Sequence, residues 1–179
     1  EGGRVDWYDI LLETIDLRSF SNLWFWIVVA VLWSSASHWV MGVPNDIIIR
    51  ARRHGGVVAQ DVDALVAINV RRILDISRVA GLWLVGIATF FLTTLVVLGF
   101  FYRVEFAQAV FLLATPMTGV GAVSVSTARR IEAGGETGPA LWRRLSRHRM
   151  IVQGIGVVAI FVTAMWGMWQ NLNLPLFGY

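Results

Sequence analysis

Two histidines and a set of arginines are the residues whose chemistry has to be weighed first. His38 ends the run SSASH (residues 34–38) about one turn before an apolar stretch stops, and His148 lies in ALWRRLSRHRM (residues 140–150) where another begins. Two imidazoles at similar depth on neighbouring helices are the ligand set of a b-type haem, and Arg144, Arg147 or Arg149 would pair its propionates. The easier account gives His148, among arginines, to lipid headgroups and His38 to a packing hydrogen bond. No other catalytic set is apparent. The chain has no Cys, which excludes a disulfide, a thiolate nucleophile and a cysteine-ligated iron–sulfur cluster. No phosphate loop, dinucleotide fingerprint, HExxH or nucleophile elbow occurs. Asp61 and Asp63 read as helix caps and not as acid–base groups. The expectation is a chain without enzymatic activity, resident metal or nucleic-acid partner.

The elements that hold these residues are set by the distribution of charge. Residues 19–45, 79–102, 106–128 and 150–179 contain no Asp, Glu, Lys or Arg. Each stretch exceeds the roughly 20 apolar residues that cross a bilayer as a helix. Hydrophobic residues make up 56% of the 179 and charged residues 15%, against about 25% charged in a soluble domain. So little charge could not cover a soluble surface, and the apolar excess must face lipid. The expected fold class is therefore all-α: a single polytopic domain over 1–179, with spans at about 20–43, 79–102, 105–128 and 150–171. None of the spans carries the intramembrane charge that marks a proton or ion path. No small-residue cleavage pattern follows the first stretch, so it is expected to stay as an anchor.

All 15 basic residues are arginine, and twelve of them lie in the two loops 44–78 and 129–149. Because cytoplasmic loops retain Lys and Arg, both loops are expected inside and both termini on the periplasmic face of a bacterial inner membrane. Trp24, Phe25, Trp26, Trp166 and Trp169 at the outer boundary, with Trp39 and Trp83 near the inner one, read as aromatic belts. Arg50, Arg52, Arg53, Arg143, Arg144, Arg147 and Arg149 are expected to contact anionic phospholipid headgroups.

Along the chain, residues 1–19 place Trp7, Ile10, Leu11 and Leu17 near helical spacing, which predicts a short amphipathic helix lying on the outer surface or docking on protein, its acidic polar face favouring the protein. Gly42 and Pro44 end the first span, and Gly55–Gly56 breaks a brief basic segment after it. From Asp61, the stripe Val62, Leu65, Val66, Asn69, Val70, Ile73 and Leu74 meets no breaker before Phe101, so one long helix protruding into the cytoplasm is predicted. Its stripe needs cover from the loops, another copy or a different subunit, and Asn69 would fix register or bond to a partner. The third span is rich in small and hydroxyl residues around Pro116, Gly119, Gly121 and Ser124, which predicts a central, closely packed helix kinked near the proline. GGETGP (residues 134–139) reads as a flexible turn.

Residues 17–26 (LRSFSNLWFW), 33–44 (WSSASHWVMGVP), 104–118 (VEFAQAVFLLATPMT) and 161–172 (FVTAMWGMWQNL) resemble a family of small inner-membrane proteins from purple and marine alphaproteobacteria. The family is labelled a component of the SufBCD complex. The resemblance spans most of the chain and implies four membrane helices and a link to iron–sulfur cluster assembly. It transfers no catalytic residues. Taken together, the expected role is an accessory or scaffold subunit of a larger inner-membrane complex, respiratory or photosynthetic, binding other membrane subunits or itself. The alternatives are a small membrane subunit of a TRAP-like transporter and the haem carrier.

Overall fold

The structure, a computed structural model, describes Phe20 and residues 22–173. The amphipathic segment with Trp7 and Leu11 lies outside the described residues. Helix α1 (Leu23–His38) opens on Asn22, whose Oδ1 accepts the Trp24 amide at 3.0 Å, a side-chain cap for one of the free N–H groups of the first turn. Sixteen residues at 1.5 Å each give a rod of about 24 Å, shorter than the sequence led us to expect. It stops early because Trp39–Val40 (β1) and Val43–Pro44 (β2) fold back as a two-residue hairpin, Val40 opposite Val43. Such a turn needs positive φ at both central positions. Gly42 adopts +77° freely, and Met41 is held at +53° with its side chain buried (4% exposed).

Helix α2 (Asn45–His54) carries Asp46 in its first turn and Arg52, Arg53 and His54 in its last, both favourable for the helix dipole. Gly55 and Gly56, at φ +59° and +58°, turn the chain into α3 (Gly56–Val96). Helix α3 therefore begins five residues before the expected start. Asp61 is not its cap, and Asp63 caps a different helix: its Oδ2 accepts the Gly138 amide at 2.9 Å, where α5 (Gly138–Asn173) starts. A π-helical turn, Val97–Phe101, extends α3. Helix α4 (Glu105–Gly134) runs through Pro116 and ends at Gly135 in the left-handed region. Three segments, Gly56–Phe101, Glu105–Gly134 and Gly138–Leu172, are long and apolar enough to cross a membrane.

Packing divides into two regions. At the arginine-rich end, Val62, Val66, Val70 and Leu74 on α3 meet Ile48 and Ala51 of α2, the hairpin, Ala128 and Ile131 of α4, and Leu141 and Leu145 of α5. The four-residue spacing puts the α3 stripe on one face. The two arginine-bearing loops thus fold into a single cap over the protruding half of α3. Asn69 sits against Gly42 of the hairpin turn, and Ile73 flanks this core, while Leu65 stays exposed.

Beyond the cap, α1 packs on α5, α5 on α4 and α4 on α3. Val29 and Trp33 of α1 meet Ala159 and Ile155 of α5 and Met117 of α4. Outside these seams the apolar half of α3 is bare; Leu82 is 87% exposed and Phe90 74%. An apolar surface of this extent does not persist in water and belongs in lipid.

Close approaches of one helix to another element fall at Gly99 of the π-helical turn and at Gly156 and Gly167 of α5, and not at Gly119 or Gly121 of α4. A Cβ at Gly156 would lie 2.8 Å from Trp33 Cε3, one at Gly99 2.9 Å from the Gln108 amide nitrogen, and one at Gly167 3.2 Å from Phe20 Cβ. At Gly119 and Gly121 it would meet nothing within 4 Å, so neither packs within this chain. Gly156→Ala is expected to destabilise the detergent-solubilised protein by about 1–3 kcal/mol through overpacking against a rigid indole. Gly119→Ala, in open space, is expected to leave thermal unfolding unchanged or slightly improved. Equal melting shifts for the two variants would contradict the α1–α5 seam.

Candidate functional site

The polar side chains gather at two places. The first is a cleft of about 180 Å³ between α4 and α5 at the arginine-rich end. Its wall on α4 is Val123, Ser126, Thr127 and Arg130; on α5 it is Arg144, Arg147, His148 and Ile151. Three- and four-residue spacing on both helices puts these side chains on facing stripes. Thr127 and His148 form the buried back wall, Thr127 Oγ1 lying 3.1 Å from His148 Nδ1. The guanidinium groups stand at the mouth. Arg144 is fixed by a two-point ion pair with Glu136 in the turn before α5. Arg130 and Arg147 are exposed and make no hydrogen bond or ion pair among the described residues.

Glu136 responds to this setting. Its hydrogen bonds from Arg144 hold the carboxyl below the usual carboxylate range; partial desolvation opposes that, and the charges of Arg144, Arg143 and Arg147 add to it. Planar guanidinium groups in such an array are suited to a phosphate or carboxylate, which they meet with paired N–H donors.

The other arginines divide by task. Arg52 Nη2 donates to Trp142 O at 2.6 Å and to Ser146 Oγ, stapling α2 to α5. Arg149 Nε donates to Ser37 O at 3.3 Å, clasping the last turn of α1. Arg78 pairs with Glu132 across α3 and α4 at 2.6 Å. Arg50, Arg53 and Arg143 are exposed. Of the seven arginines expected at headgroups, Arg52, Arg144 and Arg149 therefore hold elements together. Arg130 and Thr127 join the cleft although nothing in their spacing had set them apart.

The two histidines are held by different neighbours. His148 is 4% exposed and faces Thr127 on α4. His38 is exposed, its ring 6.0 Å edge-on from that of Trp39. Among the described residues no group of three or more His, Cys, Asp or Glu comes together.

The second polar cluster lies at the opposite end and centres on Gln108, 3% exposed on α4. Its Nε2 donates to Gly99 O at 2.7 Å inside the π-helical turn, whose irregular backbone frees that carbonyl. Its Oε1 accepts Trp166 Nε1 at 3.0 Å and Gln170 Nε2 at 2.5 Å from α5. Beside it, Glu105 Oε1 accepts the Phe20 amide at 2.8 Å, and Phe20 O accepts Trp26 Nε1 at 3.1 Å. Trp26 and Trp166, read from sequence as belt residues, thus direct their indole N–H inward. The sequence pointed to neither Gln108 nor this network.

Fold and clusters together define a helical membrane protein. Comparison with protein-family models, curated proteins and solved structures finds no match.

The Glu136–Arg144 pair sets a pH dependence. The folded-state carboxyl lies below its unfolded value of about 4.3, so its stabilisation is present above that value and is lost as pH falls through the lowered one. Wild type is expected to melt higher than Glu136→Gln at pH 7 and to converge with it as pH falls below about 4. A gap that stays constant down to pH 3 would show that the ion pair does not form.

Proposed function

We propose that this chain is a non-enzymatic accessory or scaffold subunit of a larger assembly in a bacterial inner membrane. It spans the bilayer four times, with both termini on the periplasmic face and the arginine-rich cap in the cytoplasm. Helix α1, short for a span, crosses by local thinning of the bilayer around its aromatic end.

The observation that carries this reading is the uncovered stripe of small residues on α4. Thr118 and Ala122 are exposed one turn apart, and Gly119 and Gly121 have open space above them. Helices associate in lipid where small side chains let backbones approach closely. Here that stripe is left open by the chain itself, which suits a helix of another subunit or of a second copy. The segment resemblance described above puts iron–sulfur assembly proteins among the partners to look for.

Gentle detergent extraction from native membrane followed by mass spectrometry tests this. At least one polytopic protein is expected to travel with the wild-type chain. Ala122→Leu, which fills the stripe without touching the chain's own seams, is expected to release that partner at unchanged melting temperature. A chain that runs alone and monomeric while other complexes survive would overturn the subunit reading.

A further inference from the structure

We propose that the α4–α5 seam is a binding slot for one anionic phospholipid, its phosphate in the arginine cleft and an acyl chain in the apolar cleft beside it. This goes beyond diffuse attraction of basic loops to a charged surface, and it does not rest on the subunit reading, since one chain supplies the whole site. The second cleft, about 480 Å³, is walled by Phe111, Leu112 and Pro116 of α4 and by Gly154, Ile155 and Val158 of α5.

The two clefts share their stripes. On α5, Arg144, Arg147, His148, Ile151, Ile155 and Val158 succeed one another at three- and four-residue steps. On α4, Pro116, Val123, Thr127 and Arg130 repeat at sevens, fours and threes, so the same face carries both regions. From Arg147 to Val158 the helix rises about 16 Å, close to the roughly 15 Å of one hydrocarbon leaflet. The slot is therefore polar and cationic at headgroup depth, and apolar from there to mid-bilayer.

The charge balance favours an anion. Glu136 forms its ion pair with Arg144 and acts on Arg147 only at longer range, so neither Arg130 nor Arg147 has an ion pair of its own at the mouth. Thr127 and His148 add hydrogen-bonding groups at the back wall. A zwitterionic headgroup would bring its own cation against these guanidinium groups. Inorganic phosphate would satisfy the polar end and gain nothing from the apolar one, so the alignment of the two clefts along the same two helix faces selects a lipid.

The test uses the purified full chain, delipidated in mild detergent and titrated with phosphatidylglycerol, phosphatidylcholine or inorganic phosphate. Native mass spectrometry reads bound lipid. One phosphatidylglycerol per chain is expected, retained in preference to phosphatidylcholine and not displaced by inorganic phosphate. Arg130→Gln with Arg147→Gln is expected to weaken it about thirtyfold, each charge being worth about 1 kcal/mol near a headgroup. Both positions lack protein partners, so the fold should survive. Gly154→Leu, whose new side chain would enter open space, is expected to expel the lipid without lowering the melting temperature. Arg50→Gln with Arg53→Gln, both exposed on the outer face of α2, should leave binding unchanged. Equal retention of the two lipids, equal loss in the α2 variant, or phosphatidylglycerol retention indifferent to Gly154→Leu would each overturn the slot.

Discussion

Lipid offers no hydrogen bonds, so polar groups inside the apolar half of this chain must find partners on the chain itself. That requirement accounts for where the helices are stitched and where they are merely in contact. At one end Gln108 serves three partners at once: a carbonyl released by the π-helical turn, an indole and an amide. At the other, Asp63 caps α5, Arg52 reaches a carbonyl and a hydroxyl of α5, and Arg149 takes a carbonyl at the end of α1. Between these ends the seams are apolar, with hydroxyls such as Thr163 and Ser124 bonding back to their own helix. Among the described residues, the two buried side-chain atoms without a protein partner, Asp63 Oδ1 and Trp142 Nε1, both belong to the cap.

Helix α3 links the two environments. Its first half buries one face against the cap; its second half shows apolar side chains on nearly every face. No proline or capping residue separates the halves, so the same rod serves as core element and as membrane span. The cap takes its shape from this continuity. The loops fold over α3 because its valine stripe would otherwise face water, and burying each such side chain is worth about 1.5–3 kcal/mol. In doing so they bring their arginines to one end of the bundle, where Arg130, Arg144 and Arg147 converge.

Much of this was legible from charge alone. Long charge-free stretches mark the apolar helices, and the valine stripe after Gly56 marks the face that must be covered. Helix ends were harder. An aspartate before an apolar run looks like a cap, yet Asp63 caps a helix 75 positions along the chain, a relation that no local pattern carries. The hairpin after α1 escaped because its turn needs Met41 in a conformation that methionine rarely takes. Close approach at a glycine depends on what stands opposite: Gly156 faces Trp33, whereas Gly119 and Gly121 face nothing within this chain. Gln108, a single amide in an apolar run, gains its role only when Gly99, Trp166 and Gln170 are brought to it. The cleft followed the same rule, since Arg130 and Thr127 gain meaning only when α5 sets His148 against them.

Because the chain has no native cysteine, single cysteines in α3 report on their surroundings without background. The account requires α3 to leave water for lipid along one unbroken rod. In native membranes, an impermeant maleimide given access to both faces is expected to label Ala64→Cys and Ile68→Cys and to spare Leu82→Cys, Val85→Cys and Phe90→Cys, although those last three positions are exposed on the protein surface. Labelling of all five alike would mean that α3 does not enter the bilayer, and the account would fail.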